Sequence, residues 1–220
     1  MSMLPLFDCD GRCSRYRANT SARPQDALQI LSDYGLNTVR LRLFGPDTFA
    51  NNSYADLSGT LAMARRAKAA GLAITLDIFY TQWFFGKDTY YLQRRTPPRW
   101  HNLSFTELVD AAADYTMVAV KALVDQNTAP ASVQIGNEIN CGLFHPWKGQ
   151  SCSRGAEVCS CKQNWQNLAA VITAAAKAVN TAAPEAKIII QYAASEAVCI
   201  RICMYQSVFV FIELFYTCHH

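Results

Sequence analysis

Charge of either sign is scarce in this sequence. Acidic and basic side chains make up 17% of the 220 residues and leave a net charge of +3. The basic residues are scattered, so the charge pattern does not suit nucleic acid. A Gly-rich phosphate loop is absent, and so is any zinc-type Cys/His spacing, so neither a cofactor nor a metal is expected. The N-terminus lacks an export signal, because Met1-Ser2-Met3-Leu4-Pro5-Leu6 is too short and too interrupted to be one. Apolar residues are plentiful instead. A hydrophobic content of 51% excludes a disordered chain, and the length allows one sizeable core.

The nine cysteines are unevenly spread. Cys141, Cys152, Cys159 and Cys161 fall in one loop-like stretch, and Cys9 and Cys13 form an early pair. Such clusters suggest disulfides and hence a secreted protein whose signal is not in this chain. The alternative is free thiols in a cytosolic protein. The odd count leaves at least one cysteine without a partner inside the chain.

Hydrophobic periodicity divides the chain into alternating strands and helices. Residues 3–7 suit the end of a strand. Arg23-Pro24-Gln25-Asp26 opens a helix with Pro at an early position, and Gly35 stops it. Residues 37–44 alternate strictly, with Val39, Leu41 and Leu43 on one face and Arg40 and Arg42 on the other. If this is a barrel strand, the aliphatic set faces helices and both arginines face the lumen. Arg42 lies nearer the strand's carboxyl end and is placed to reach a catalytic carboxylate. Arg40 is expected to form a structural ion pair deeper down, because buried charge is costly unless paired.

A helix over 54–70 follows, ended by Gly71, and then a strand over 72–80. The loop over 81–101 carries Trp83 and Trp100 among several aromatics. Their rings suit stacking on sugar faces or packing on each other, with Trp83 the better stacking candidate. Ser104-Phe105-Thr106-Glu107 has the pattern of a capping box. Its helix runs to about residue 125, with Leu108, Ala112, Tyr115, Val118, Ala119 and Ala122 as a core stripe. A strand over 133–135, a cysteine-bearing loop with Trp147, a helix over 164–180 and a strand over 187–192 complete the series. Repeated β-then-α units with right-handed crossovers predict a parallel sheet or barrel.

Candidate chemistry sits in Val133-Gln134-Ile135-Gly136-Asn137-Glu138-Ile139-Asn140. Here a strand ends on a carboxylate, at the face where a parallel barrel gathers its βα-loops. A Glu in that place can protonate a leaving glycosidic oxygen, and the neighbouring Asn amide can bind a sugar hydroxyl. On these residues alone, a Glu buried and held by local hydrogen bonds is the preferred reading, and only the surrounding βα pattern reverses that preference.

Several stretches, in order, carry a resemblance. They are Pro24-Gln-Asp-Ala-Leu-Gln-Ile-Leu31, Gly35-Leu-Asn-Thr-Val-Arg-Leu-Arg-Leu43, Ala64-Arg-Arg-Ala-Lys-Ala-Ala-Gly-Leu72, Asp114-Tyr-Thr116, Val133 to Asn140, and Asn164-Trp-Gln-Asn-Leu-Ala169. Over residues 3–193 the chain resembles the endo-β-1,4-galactanase (arabinogalactan endo-galactanase) family of glycoside hydrolases. The resemblance implies a (β/α)8 TIM-barrel fold, α/β in class, that hydrolyses β-1,4-galactan with retention. It also implies Glu138 as general acid/base, Asn137 as a sugar contact and Arg42 as an active-site arginine.

Two departures from the family pattern stand out. Phe79 and Gln82 replace a His and an Asp that follow Leu76-Asp77 in the family. The resemblance also stops near Ala194, after about five of the eight βα units and before the strand that carries the nucleophile. The expected organisation is therefore a partial glycosidase barrel over 1–194 and a non-family tail over 195–220. The tail is apolar, β-branched and aromatic, without a clear period. Arg201, Gln206 and Glu213 interrupt it and argue against a membrane span. A frameshift or a retained intron would explain it.

Three outcomes are weighed. One is a galactanase lineage acting on a polysaccharide as a monomer, with negligible turnover by this chain because one carboxylate cannot both attack and protonate. Another is a non-catalytic galactan-binding remnant using Trp83, Trp100 and Trp147. The last is a chain without a stable fold, because open sheet edges invite aggregation. A related barrel glycosidase acting on mannan or cellulose is a further alternative, since such enzymes share the Asn-Glu pair.

Overall fold

A computed structural model describes residues 15–16, 25–46, 55–81, 96–139, 142–144, 165–194 and 208–214. The main sheet has five strands: β3 (Thr38–Leu43), β4 (Ala73–Ile78), β5 (Ser132–Ile135), β6 (Lys187–Ala194) and β7 (Val208–Leu214). They lie in sequence order, and each is parallel to the next. Helix α2 (Leu57–Ala69) connects β3 to β4, α3 (Phe105–Asp125) connects β4 to β5, and α4 (Trp165–Ala182) connects β5 to β6. A strand order that never reverses is that of a barrel, whereas a doubly wound sheet contains a switch point. A short antiparallel pair, β1 (Arg15–Tyr16) and β2 (Gln25–Asp26), precedes α1 (Ala27–Asp33).

Register sorts the side chains into two faces. Leu41, Leu76, Val133, Ile188 and Val208 are successive partners across the sheet. Leu41, Leu76, Val133 and Ile188, with Val39, Leu43, Ile74, Ile78, Ile135 and Ile190, supply the apolar side and are buried. These residues join one core with Met63, Ala64 and Ala67 of α2, Leu108, Ala112 and Leu123 of α3, and Val171, Ala175 and Val179 of α4. The other face is polar. Arg42, Asp77 and Gln134 are partners in one row, and Arg40, Thr75 and Ser132 in the row beneath. The alternation in β3 thus has the predicted sense, with aliphatics toward helices and arginines toward the lumen.

Helix limits follow from their caps. Asp56 starts α2 by accepting from Gly59 N–H at 2.7 Å. Ser104 and Glu107 form the expected capping box at the start of α3. For α1 the start differs from the expectation. Gln25 and Asp26 pair with β1, and the helix begins only at Ala27, because the Asp26 carboxylate caps it through Leu28 N–H at 2.8 Å. Arg66 of α2 also reaches Asp26, at 2.7 Å, and ties the two helices. Gly35 ends α1 as predicted, at φ +91.

Two readings of the sequence are corrected. Val118, expected in the core stripe of α3, is 56% exposed. The buried face runs instead through Leu108, Ala112, Thr116, Ala119, Val120 and Leu123, which holds the helical period better. The tail, in which no period was visible, supplies β7. Its run Val208-Phe209-Val210-Phe211-Ile212 has the composition of a strand covered on both faces, and such a strand shows no alternation. The predicted strand at 3–7 lies outside the described residues.

Candidate active site

The polar face of the sheet carries one connected network. At its centre is Asp77 of β4, fully buried. Its Oδ1 accepts from Gln134 Nε2 at 2.8 Å. Its Oδ2 lies 2.8 Å from Arg40 Nη2 and 3.8 Å from Arg42 Nε. Oδ2 receives no aligned hydrogen bond, so both arginine contacts act as ion pairs only. Burial pushes the Asp77 carboxyl up to about 7, against the opposing pull of Arg40 and then Arg42, and the charge of Glu138 adds to the rise. Below this level, Thr75 Oγ1 and Ser132 Oγ hydrogen-bond at 2.8 Å.

Arg40 fixes the direction of several bonds, because a guanidinium can only donate. Its Nε donates to Gln134 Oε1 at 3.0 Å and its Nη2 to Asn137 Oδ1 at 2.8 Å. Asn137 is buried, and its oxygen is occupied. The end of the amide that remains for a ligand is therefore the NH2 donor.

The backbone turns sharply as β5 ends. Gly136 takes φ +76, and a Cβ there would meet Ile139 Cγ2 at 2.5 Å, so a glycine is required. Glu138 takes φ +48, in the left-handed region that costs a non-glycine residue roughly 1–2 kcal/mol. Glu138 follows the carboxyl end of β5 and is half-buried. Its N–H donates to Gln191 Oε1 of β6 at 3.2 Å. Near the end of β3, Gly45 sits so close to Tyr80 that a Cβ would lie 2.2 Å from the Tyr80 carbonyl oxygen. That approach lets Gly45 N–H bond Thr81 O at 3.1 Å and joins the ends of β3 and β4.

Sequence-predicted residues divide into four groups. Glu138, Asn137 and Arg42 come together at one end of the sheet. The Arg42 guanidinium also lies 4.6 Å from the Phe79 ring centre and 5.9 Å from that of Phe44. Phe79, which departs from the family pattern, thus holds Arg42 by its ring face, a contact worth about 0.5–1 kcal/mol. Arg40 makes the expected ion pair with Asp77. Trp100 is a correction: it is 7% exposed and belongs to the core. Its ring meets Tyr115 at 6.1 Å and Phe144 at 5.6 Å, which leaves no open face for a sugar. Trp83, Gln82, Trp147 and the cysteine loop lie outside the described residues.

Sequence reasoning gave no role to Asp77, Gln134 or Gln191. Each is a single polar residue inside an apolar strand, as in Leu76-Asp77-Ile78, Val133-Gln134-Ile135 and Ile190-Gln191-Tyr192. That pattern was the available signal, since an isolated polar side chain in a buried strand must find a partner. Among the described residues, no group of three or more His, Cys, Asp or Glu side chains could hold a metal, and no helix is long and apolar enough to cross a membrane.

A singly wound parallel sheet with an Asn-Glu pair at its carboxyl end has the architecture of a barrel glycoside hydrolase. The profile of glycosyl hydrolase family 53 matches residues 8–209, and the chain belongs to that family. The match runs past Ala194 and ends inside β7. An arabinogalactan endo-β-1,4-galactanase of Thermothelomyces thermophilus is 31% identical over 174 residues, which is 78% of this chain and 46% of that protein. The family 53 catalytic domain of Ignisphaera aggregans superposes with a TM-score of 0.64 at 30% identity, over 81% of this chain and 46% of that one. A fungal β-1,4-galactanase structure gives 0.66 at 26% identity, over 81% and 48%. The chain thus spans about half the length of these relatives.

Proposed function

We propose that this chain carries the acid/base half of a site that cleaves β-1,4-galactan internally with retention. Glu138 protonates the glycosidic oxygen as the bond breaks, then takes a proton from the water that releases the sugar. Asn137 donates its amide N–H to a hydroxyl of the sugar at the scissile bond. Arg42 lends positive charge beside the reacting centre. The observation that carries this reading is the Asn137–Glu138 turn: a half-buried Glu just past the strand end, in left-handed backbone, beside an amide whose direction Arg40 fixes. Retention requires a second carboxylate about 5–5.5 Å from the first. Neither Glu196 nor Glu213 has a sequence context that suits that role.

For the 220-residue chain we expect binding of β-1,4-galactotetraose without measurable hydrolysis of galactan. Calorimetric titration and a reducing-sugar assay test the two halves. Clear turnover would overturn the assignment of half a site, and absence of binding would overturn the sugar reading. The buried, apolar Phe79 favours a second reading, in which binding is all the site does. Joining this chain to the segment of a full-length family 53 relative that supplies the second carboxylate separates the two, because turnover then favours the first reading and binding alone the second.

A further inference from the structure

Gln191 has no part in the family pattern described above, yet it touches the backbone of Glu138. We infer that Gln191 is a positioning residue for Glu138, and that its acceptor end is set by a chain of bonds starting at Arg40. The inference rests on the reading of Glu138 as the acid/base.

An amide side chain fits a network in two orientations, and its partners decide between them. Arg40 cannot accept, so Gln134 must turn Oε1 toward Arg40 Nε, at 3.0 Å. Gln134 Nε2 then points the other way. Its two hydrogens face three acceptors: Asp77 Oδ1 at 2.8 Å and Gly136 O at 2.7 Å take the shorter bonds, and Gln191 Oε1 at 3.1 Å shares a hydrogen with one of them. Gln191 must therefore present oxygen, not nitrogen, to this point. The same oxygen accepts the Glu138 N–H at 3.2 Å. A fixed charge on β3 thus decides, through β5, what β6 offers to the turn.

The turn has use for that acceptor. Glu138 occupies a backbone conformation that must be held by its surroundings. Gln134 holds the preceding peptide through Gly136 O, and Gln191 holds the following N–H. Both amides are buried, so water cannot easily replace either bond. One local bond from β5 and one cross-strand bond from β6 therefore clamp the turn on either side of Asn137 and aim the Glu138 side chain.

Two variants test this. Gln191→Met keeps the length of the side chain and removes the acceptor. Amide hydrogen exchange at Glu138 is expected to quicken at least tenfold, while the amides of Gln134 and Ile135 stay protected. Unchanged exchange at Glu138 in a folded variant would overturn the inference. Gln191→Glu keeps the acceptor and adds a charge, and so serves even where the first variant fails to fold. In nitrogen–proton spectra across the acidic and neutral range, the Glu138 amide proton is expected to show a titration step absent from the wild-type protein. No added step would overturn the bond. Neither readout uses sugar, so failure of galactotetraose to bind would count against the proposed function alone.

Discussion

At the scale of single residues, Asp77 is the group with most at stake. It is buried, paired with two arginines of one strand, and short of one aligned hydrogen bond. Its carboxyl is pushed up from 3.8 to about 7 by burial first, with Arg40 and Arg42 opposing. A carboxyl raised on folding keeps a proton that the unfolded chain releases. Its contribution to stability is complete below about pH 4, declines as pH rises toward 7, and is gone above that. We expect the wild-type melting temperature to fall between about pH 4 and 7, reflecting a loss of stability on the order of a few kcal/mol. Asp77→Asn should flatten that fall, whatever constant offset the amide brings. Parallel slopes in the two proteins, followed by calorimetry, would assign the decline elsewhere.

At the scale of elements, ends were more legible than interiors. Ser104 and Glu107 announced the start of α3, because a capping box needs only residues three apart and a local backbone. Ser104→Ala is expected to cost about 1 kcal/mol in urea unfolding, the usual value of an N-cap side chain. A loss below a few tenths would mean that tertiary packing alone fixes that end. The start of α1 was missed by a few residues, since Pro24 is a local signal whereas the pairing of β2 with β1 is not. The face of α3 was read slightly off because Val118 is apolar yet points outward, and a single exposed valine disturbs a count by type. In β7 the failure had another cause. A strand without alternation resembles any buried apolar run until a neighbour pairs with it.

At the scale of the whole molecule, the sheet divides its labour between two faces. Apolar residues on one side bind the helices, and polar residues on the other collect into a single network under the Asn137–Glu138 turn. The bonds that build it join residues 94, 97, 57 and 53 positions apart. Where turnover of galactan is found, in this chain or a longer form of it, the first product should carry the β anomer, as seen by proton spectroscopy during early hydrolysis. Initial release of the α anomer would contradict a double displacement and would imply carboxylates about 6.5–9.5 Å apart with water between them.

By itself the sequence determined the periodic elements, the inward face of Arg40 and Arg42, and the place of Glu138 at a strand end. These follow from nearest-neighbour rules, in which alternation, caps and a glycine stop act over a few residues. Tertiary structure alone decided that Trp100 serves the core, that residues 208–214 pair with β6, and that Gln134 and Gln191 face the same lumen as Asp77. The physical reason is that a polar side chain carries no mark of its partner. Its partner is set by register between strands, and register exists only once the helices have packed the sheet.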